Sequence, residues 1–355
     1  MAEHLSQSEL DYPFRLLEYF NGFRVSKVIF AACELGVFDL LLKARDPVSA
    51  RFVARELGAS VDGTERLLDA LVGIEILEVE RADRPGEEEE RPALYSSTDV
   101  ANLYLARASA KSLHDMIVYQ SQTVYPLWSN IADAIREGRS QYEKTFGVPS
   151  EDVFQAIYRS EQEMVKFMGL MNSSWVLDGH DVVTAFDLSC FPRIVDLGGC
   201  SGALAHELAK VYPSSSVVVF DLPEVVEAAQ KHFPREDGAV VFQSGDFFRE
   251  DLPAADLYVL ARIIHDWPEE KCLTLLRRIH DASKPGGGVL LVEAMLFENR
   301  RGPVAAQMFS LNMLVQAEGR ERSPSEYTHL LARTGFHDVQ VCRTGKSYDA
   351  ILATR

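Results

Sequence analysis

Ile194-Val195-Asp196-Leu197-Gly198-Gly199-Cys200-Ser201-Gly202 is the stretch that decides the fold of this 355-residue chain. It reads as a strand that ends in a glycine-rich turn and opens a helix at about Ala203. Glycine lets the backbone approach a ligand closely, and a helix N-terminus adds exposed N–H groups. Dinucleotide folds place G-x-G-x-x-G at this point. Here the glycines are Gly198, Gly199 and Gly202, with Asp196 two residues before the first. That arrangement suits a ligand presenting an ammonium group, which seeks carboxylate and carbonyl acceptors. Taken alone, the same turn also serves as a plain connector.

Outward from that turn the chain alternates strands with helices. Strands are expected at 194–197, 217–221, 239–243, 256–260, 289–293, 339–342 and 350–353. A last helix is expected at 324–334, started by Ser323-Pro324-Ser325-Glu326 with a hydroxyl cap, proline first and glutamate third. Such alternation predicts an α/β fold with a mainly parallel, doubly wound, Rossmann-like sheet. Two more acids fall at strand ends. Asp221 closes the second strand, where an acid accepts ribose hydroxyls, and Asp246 follows the third in Gly245-Asp246-Phe247-Phe248. Each acid alone could simply end a strand at a polar loop. Three successive strand ends on one sheet edge point to a ligand crevice, since ligands bind at the carboxyl ends of such strands.

The first third reads as helices, with Val25, Val28, Ile29 and Ala32 on one stripe and apolar residues continuing to Leu42. Helices at 48–57 (closed by Gly58) and 62–72 (closed by Gly73) precede strands at 76–79 and 93–95, with the acidic loop Glu87 to Glu90 between them. Helix, turn, helix and hairpin make a winged-helix pattern. Its second helix carries Asp62, Glu65 and Asp69 against Arg66, and its wing is four glutamates, so phosphate binding is excluded on charge. The whole chain has 36 basic and 53 acidic residues, a formal charge of −17. Neither nucleic acid nor anionic membrane is an expected partner. Five scattered cysteines form no C-x-x-C pair, and no histidine stands at zinc spacing from two of them. No metal is expected. The polar residues 1–11 lack the order of a signal peptide, and no apolar run approaches the ~18 residues of a membrane span. A cytoplasmic location is the expectation. The boundaries expected are 1–111 for the helical winged-helix domain, 112–184 for an aromatic-rich helical connection, and 185–355 for the sheet domain.

Six segments carry a family resemblance: Asp196 to Gly202, Phe220-Asp221-Leu222-Pro223, Gly245-Asp246-Phe247-Phe248, His265-Asp266-Trp267, Lys284-Pro285-Gly286-Gly287-Gly288 and Glu318-Gly319-Arg320-Glu321-Arg322. They resemble the class I S-adenosylmethionine-dependent small-molecule O-methyltransferases that carry a winged-helix dimerisation domain. Segments beginning Ala31-Ala32-Cys33-Glu34, Ile157-Tyr158-Arg159 and Ser310-Leu311-Asn312 are similar to the branch that methylates hydroxyindoles. The resemblance implies transfer of a methyl group from S-adenosylmethionine to the 5-hydroxyl of N-acetylserotonin, leaving S-adenosylhomocysteine, in a homodimer. It implies that Tyr158, Trp175, Asp221, Gly245, Asp246, Phe247 and Arg262 line the cofactor site, with Asp196, Gly198 and Gly199 in its glycine turn. It makes His265 the general base, flanked by Glu293 and Glu321. Asp266, Asn312 and Gln316 hold the acceptor, with Met308 and Met313 as its apolar wall. The family turn usually has a third consecutive glycine, where this chain has Cys200.

A sulfonium donor is already activated, so such a protein mainly aligns acceptor oxygen, methyl carbon and sulfur. The hydroxyl must lose a proton, and a neutral imidazole is the natural base near neutral pH. His265 follows the fourth strand, at the edge where the cofactor acids stand. Asn312 and Gln316 are four apart and share a helix face with Met308. Two other readings stay open on the residues: a cofactor-binding paralogue with weak or no transfer activity, and a dinucleotide oxidoreductase, which the glycine spacing disfavours.

Overall fold

The computed structural model describes residues 12–80, 92–148, 153–235 and 238–355. The chain forms two compact units, Met1–Ser121 and Gln122–Arg355, so the helical connection expected at 112–184 is divided between them. In the first, α1 (Phe14–Leu35), α2 (Val37–Ala44), α3 (Ala50–Leu57) and α4 (Val61–Gly73) precede the hairpin β2 (Leu77–Glu80) and β3 (Leu94–Ser97). The expected helix at 48–57 starts two residues late. Ser49 caps it, its side chain accepting from the Phe52 N–H, and β1 (Val48–Ser49) pairs instead with Leu94 and Tyr95. The three strands are antiparallel in the order β1-β3-β2, which is the winged-helix arrangement. Gly58 ends α3 in the left-handed conformation, as expected. Gly73 is the last residue of α4, and Ile74 caps it. The acidic tip Glu87 to Glu90 lies outside the described residues. The core gathers Val37, Phe38, Val53, Leu68, Leu71 and Tyr95, all essentially solvent-free. Two short helices, α5 (Asp99–Tyr104) and α6 (His114–Tyr119), complete the unit.

The second unit opens with short helices α7 (Tyr125–Trp128), α8 (Ile131–Glu137), α9 (Tyr142–Phe146) and α10 (Val153–Ile157), then the long α11 (Glu161–Val183). Strands and helices then alternate: β4 (Arg193–Leu197), α12 (Ala203–Val211), β5 (Ser216–Asp221), α13 (Pro223–His232), β6 (Val240–Ser244), β7 (Leu257–Ala261), α14 (Glu269–Ala282) and β8 (Gly288–Glu293). They end in α15 (Val304–Gln316), α16 (Pro324–Arg333), β9 (His337–Cys342) and β10 (Asp349–Thr354). The sheet runs β6-β5-β4-β7-β8-β10-β9, with the first five strands parallel and β10 antiparallel to both its neighbours. The central strands are near-continuous apolar runs because both faces are covered. Alternate residues feed two cores: Val195, Val218, Tyr258 and Leu291 join one, while Ile194, Val219, Val259 and Leu290 join the other. Helices α14 and α16 contribute to the first core, and α11, α12 and α13 to the second. Strand order reverses between β4 and β7, so a crevice opens at their carboxyl ends.

Candidate active site

At the crevice floor the turn after β4 is held by its own acids. Gly199 approaches Asp196 so closely that a Cβ there would stand 2.6 Å from Oδ2. Asp196 is buried, and burial, with Asp221 near it, pushes its carboxyl up to about 7. Its Oδ2 has no hydrogen-bond partner among the described residues. Cys200, at φ 54°, takes the left-handed conformation that glycine adopts without strain. Its N–H donates to Asp221 Oδ2 at 2.8 Å, and the Leu222 N–H donates to Asp221 Oδ1 at 2.8 Å. Burial raises the Asp221 carboxyl to about 6, against those two hydrogen bonds. Asp221 Oδ2 thus fixes the turn, Oδ1 fixes the carboxylate on its own backbone, and each oxygen keeps a lone pair for a further donor. At the end of β6, Asp246 accepts from the Phe248 N–H at 2.8 Å.

A cavity of about 780 Å³, part of it open to solvent, lies over this floor. Its wall brings together Tyr158, Gly198, Asp221, Gly245, Asp246, Phe247, Arg262 and Asp266 from the residues expected at the site. Trp175, Asp196 and Gly199 are not on the wall, nor are His265, Glu293 and Glu321, which lie behind its residue Asp266. Trp175 is buried with its ring 5.5 Å from that of Tyr348, and Asp196 backs the glycine turn. Phe154, Phe167, Met171, Leu222, Phe248, Ile263 and Trp267 also line the cavity. Phe154 and Phe167 are not among the residues expected at the site. Their only signal was membership of an aromatic-rich segment, and helical spacing does not separate a core ring from a cavity ring.

His265 sits in a 3-10 turn, Ile264–Asp266, directly after β7. It is 2% exposed, with Nδ1 2.7 Å from Glu321 Oε1 and 3.9 Å from Glu293 Oε2. Its Nε2 lies 3.5 Å from Asp266 Oδ1, and Asp266 is on the cavity wall. Burial pushes Glu321 up to about 8, with Arg262 and Arg322 opposing. Burial also pushes Glu293 to about 7 and Asp266 to about 6, with the charge of His265 opposing in both. When Nδ1 donates to Glu321, the Nε2 lone pair is left free to accept a proton. Among the described residues, His265, Glu293 and Glu321 are the group whose metal-type donor atoms all lie within 4.8 Å of one another. The Nδ1–Oε1 separation of 2.7 Å is that of a hydrogen bond. Two ligands held at ~2.1 Å on a tetrahedral ion stand further apart.

Helix α15 distributes its four expected acceptor residues unequally. Met308 is exposed, while Met313 is buried in the core. Asn312 Oδ1 accepts from the Trp128 indole N–H at 2.8 Å. Gln316 is buried, and its Oε1 accepts from the Tyr142 hydroxyl at 3.5 Å. None of the four lies on the cavity wall. Trp128 and Tyr142 carried no signal in the sequence for these partnerships, which span 184 and 174 residues.

Comparison with known proteins agrees with this geometry. An O-methyltransferase domain model matches residues 128–337, and an O-methyltransferase dimerisation domain model matches residues 17–107. The chain is 52% identical over 351 residues to acetylserotonin O-methyltransferase of Gallus gallus, covering 99% of each protein. It is 51% identical over 350 residues to the Homo sapiens protein of the same name, covering 98% of this chain and 99% of that one. The crystal structure of human N-acetylserotonin methyltransferase in complex with SAM superposes with a TM-score of 0.92 at 50% identity, covering 100% of this chain and 99% of that chain. The fold, the site and these likenesses agree: the chain belongs to the O-methyltransferase family in which a dimerisation domain precedes the catalytic domain.

Proposed function

We propose that this protein moves a methyl group from S-adenosylmethionine to the 5-hydroxyl of N-acetylserotonin, giving melatonin and S-adenosylhomocysteine, with His265 as general base. The observation that carries the reading is the buried His265–Glu321 hydrogen bond of 2.7 Å at the end of β7, beside the cavity-wall residue Asp266. The relatives' names support the acceptor. The unpartnered Asp196 Oδ2 and the close-packed Gly199 fit a turn built to approach a ligand.

When bound, S-adenosylmethionine supplies a methyl group already activated by its sulfonium sulfur. Asp221 would hold the ribose hydroxyls with its remaining lone pairs, Asp246 would accept from the adenine amino group, and Phe247 and Tyr158 would give the cofactor apolar cover. Trp175 and Arg262 complete the cofactor site. Arg262 is held with its guanidinium 5.2 Å over the Tyr348 ring and Nη1 3.5 Å from Met171 Sδ. Glu321, backed by Glu293, accepts a hydrogen bond from His265 Nδ1–H and so leaves Nε2 as the base for a hydroxyl whose ordinary pKa is near ~10. Asp266, Asn312 and Gln316 would orient the acceptor, whereas Met313, buried in the core, and Met308, on the exposed side of the same helix, do not form one apolar wall for its ring. Phe154, Tyr158, Phe167 and Met171 of the helical segment supply one side of the site. The working form is a homodimer in the cytoplasm. None of the helices in the described residues is long and apolar enough to cross a membrane.

The test is purified protein with methyl-labelled S-adenosylmethionine and a panel of hydroxyindoles. Labelled melatonin from N-acetylserotonin, and no transfer to the same indole lacking its hydroxyl, is the expected result. Tight cofactor binding without transfer to any hydroxyindole overturns the reading in favour of an inactive, cofactor-binding paralogue.

A further inference from the structure

The segment 318–322 crosses the back of the turn that bears His265. Its backbone packs so closely that a Cβ on Gly319 would stand 2.1 Å from the His265 carbonyl oxygen. Two residues on, Glu321 takes the imidazole ring. Its neighbour Arg322, only 3% exposed, takes the backbone of the same turn. Nη1 donates to the Ile264 carbonyl at 2.9 Å and Nη2 to the Trp267 carbonyl at 3.0 Å. These two carbonyls bracket His265 in the chain. From the other side, Glu293 Oε1 accepts from the N–H groups of Ile263 and Ile264 at 3.3 and 2.8 Å. The turn is therefore pinned by its donors to one buried acid and by its acceptors to one buried cation. Cys272 Sγ reaches the same two carbonyls at 3.3 and 3.4 Å, but a thiol is a weak donor. A planar guanidinium holds two acceptors in fixed relation, which a lysine ammonium, a point charge on a flexible stem, does not.

Burying an arginine is costly unless it is well paired, and Arg322 places its two shortest hydrogen bonds on the turn that carries His265, with longer ones to the Arg320 carbonyl at 3.3 Å and to Cys272 Sγ at 3.6 Å. We propose that Arg322 is a positioning residue for methyl transfer, locking the 264–267 backbone so that His265 meets the acceptor hydroxyl. It touches neither cofactor nor acceptor and acts through the turn that carries His265. The inference rests on the reading of His265 as the base.

A double-mutant cycle tests it, using full-length Arg322→Met, Arg322→Lys, His265→Gln and the double variants. Circular dichroism and melting curves establish folding, calorimetry gives S-adenosylmethionine affinity, and labelled transfer to N-acetylserotonin gives kcat and KM. Losing the charged hydrogen bonds lowers kcat about ten- to hundredfold in Arg322→Met, with cofactor affinity and acceptor KM unchanged. Arg322→Lys recovers part of that loss. In the His265→Gln background, removing Arg322 costs little more, because both changes disable one device. The same fold-loss in both backgrounds overturns the proposal, since a merely structural role is additive. A loss confined to KM or cofactor affinity also overturns it. If Arg322→Met fails to fold, the Arg322→Lys arm carries the same cycle. Wild-type turnover by His265→Gln removes the base itself, a failure distinguishable from that of Arg322.

Discussion

Fifty-six residues separate His265 from Glu321, and burial gives their contact its chemistry. Desolvation holds the Glu321 carboxyl at about 8, above its ordinary 4.5. The folded chain therefore binds this proton more tightly than the unfolded chain. The associated stability is complete below about 4.5 and is lost as pH rises through about 8. We expect the melting temperature to fall across that window and Glu321→Gln to flatten the fall. An equal slope in the variant contradicts the assignment. At Cys200 the left-handed φ of 54° argues that Cys200→Gly relieves backbone strain. The gain is offset by a lost buried thiol and a looser unfolded chain. The expected result is activity kept or modestly raised with a melting temperature little changed; a large loss of turnover gives Cys200 a role of its own. Asp221, Asp246 and His265 were legible because a polar residue at a strand's carboxyl end has a known place in this kind of sheet. Arg322 was not. A lone arginine in a sequence reads as surface, and its two carbonyl partners lie 58 and 55 residues away.

Elements were legible wherever their signals were local. The start of α16 is the plainest case. Ser323 accepts from the Glu326 N–H while Glu326 accepts from the Ser323 N–H, the reciprocal cap that Ser-Pro-Ser-Glu announces. Ser323→Ala should cost about 1 kcal/mol, lowering the melting temperature by roughly 2–4 °C for a unit of this size. An unchanged melting curve would show that the cap is idle. Strands β4, β5, β7 and β8 were readable from their unbroken apolar runs, which burial on both faces demands. Two features were not readable. Strand β1 is only two residues long and exists because its partner lies across the sheet in β3. The insertion of β10, antiparallel, between β8 and β9 is set by packing that strand order alone does not reveal.

Across the whole molecule, apolar residues left on the outside of α1 call for cover that outweighs the mutual repulsion of a charge of −17. Phe14, Leu16, Tyr19, Phe20 and Phe23 are 48–79% exposed, far more apolar surface than one helix normally gives to water. These residues lie just ahead of the apolar Val25 to Leu42 segment. Val28 and Ile29 in that segment pack on their own unit's core. Light scattering at micromolar concentration should give twice the chain mass, and Phe20→Asp should lower it. A monomer mass for the unaltered protein contradicts the dimer. The two-domain plan was legible from the change of pattern near residue 185, whereas the compact units divide after Ser121, because helices 125–183 pack on the sheet that follows them. The central claim is that this sheet edge presents His265 as the base for O-methylation of a hydroxyindole. Its most direct test compares wild type and His265→Gln with methyl-labelled S-adenosylmethionine and N-acetylserotonin, locating the label by NMR and measuring cofactor affinity in parallel. The account predicts label on the 5-oxygen with wild type, and a rate about 10²–10⁴ lower in the variant at unchanged cofactor affinity. Transfer by His265→Gln at the wild-type rate would contradict it.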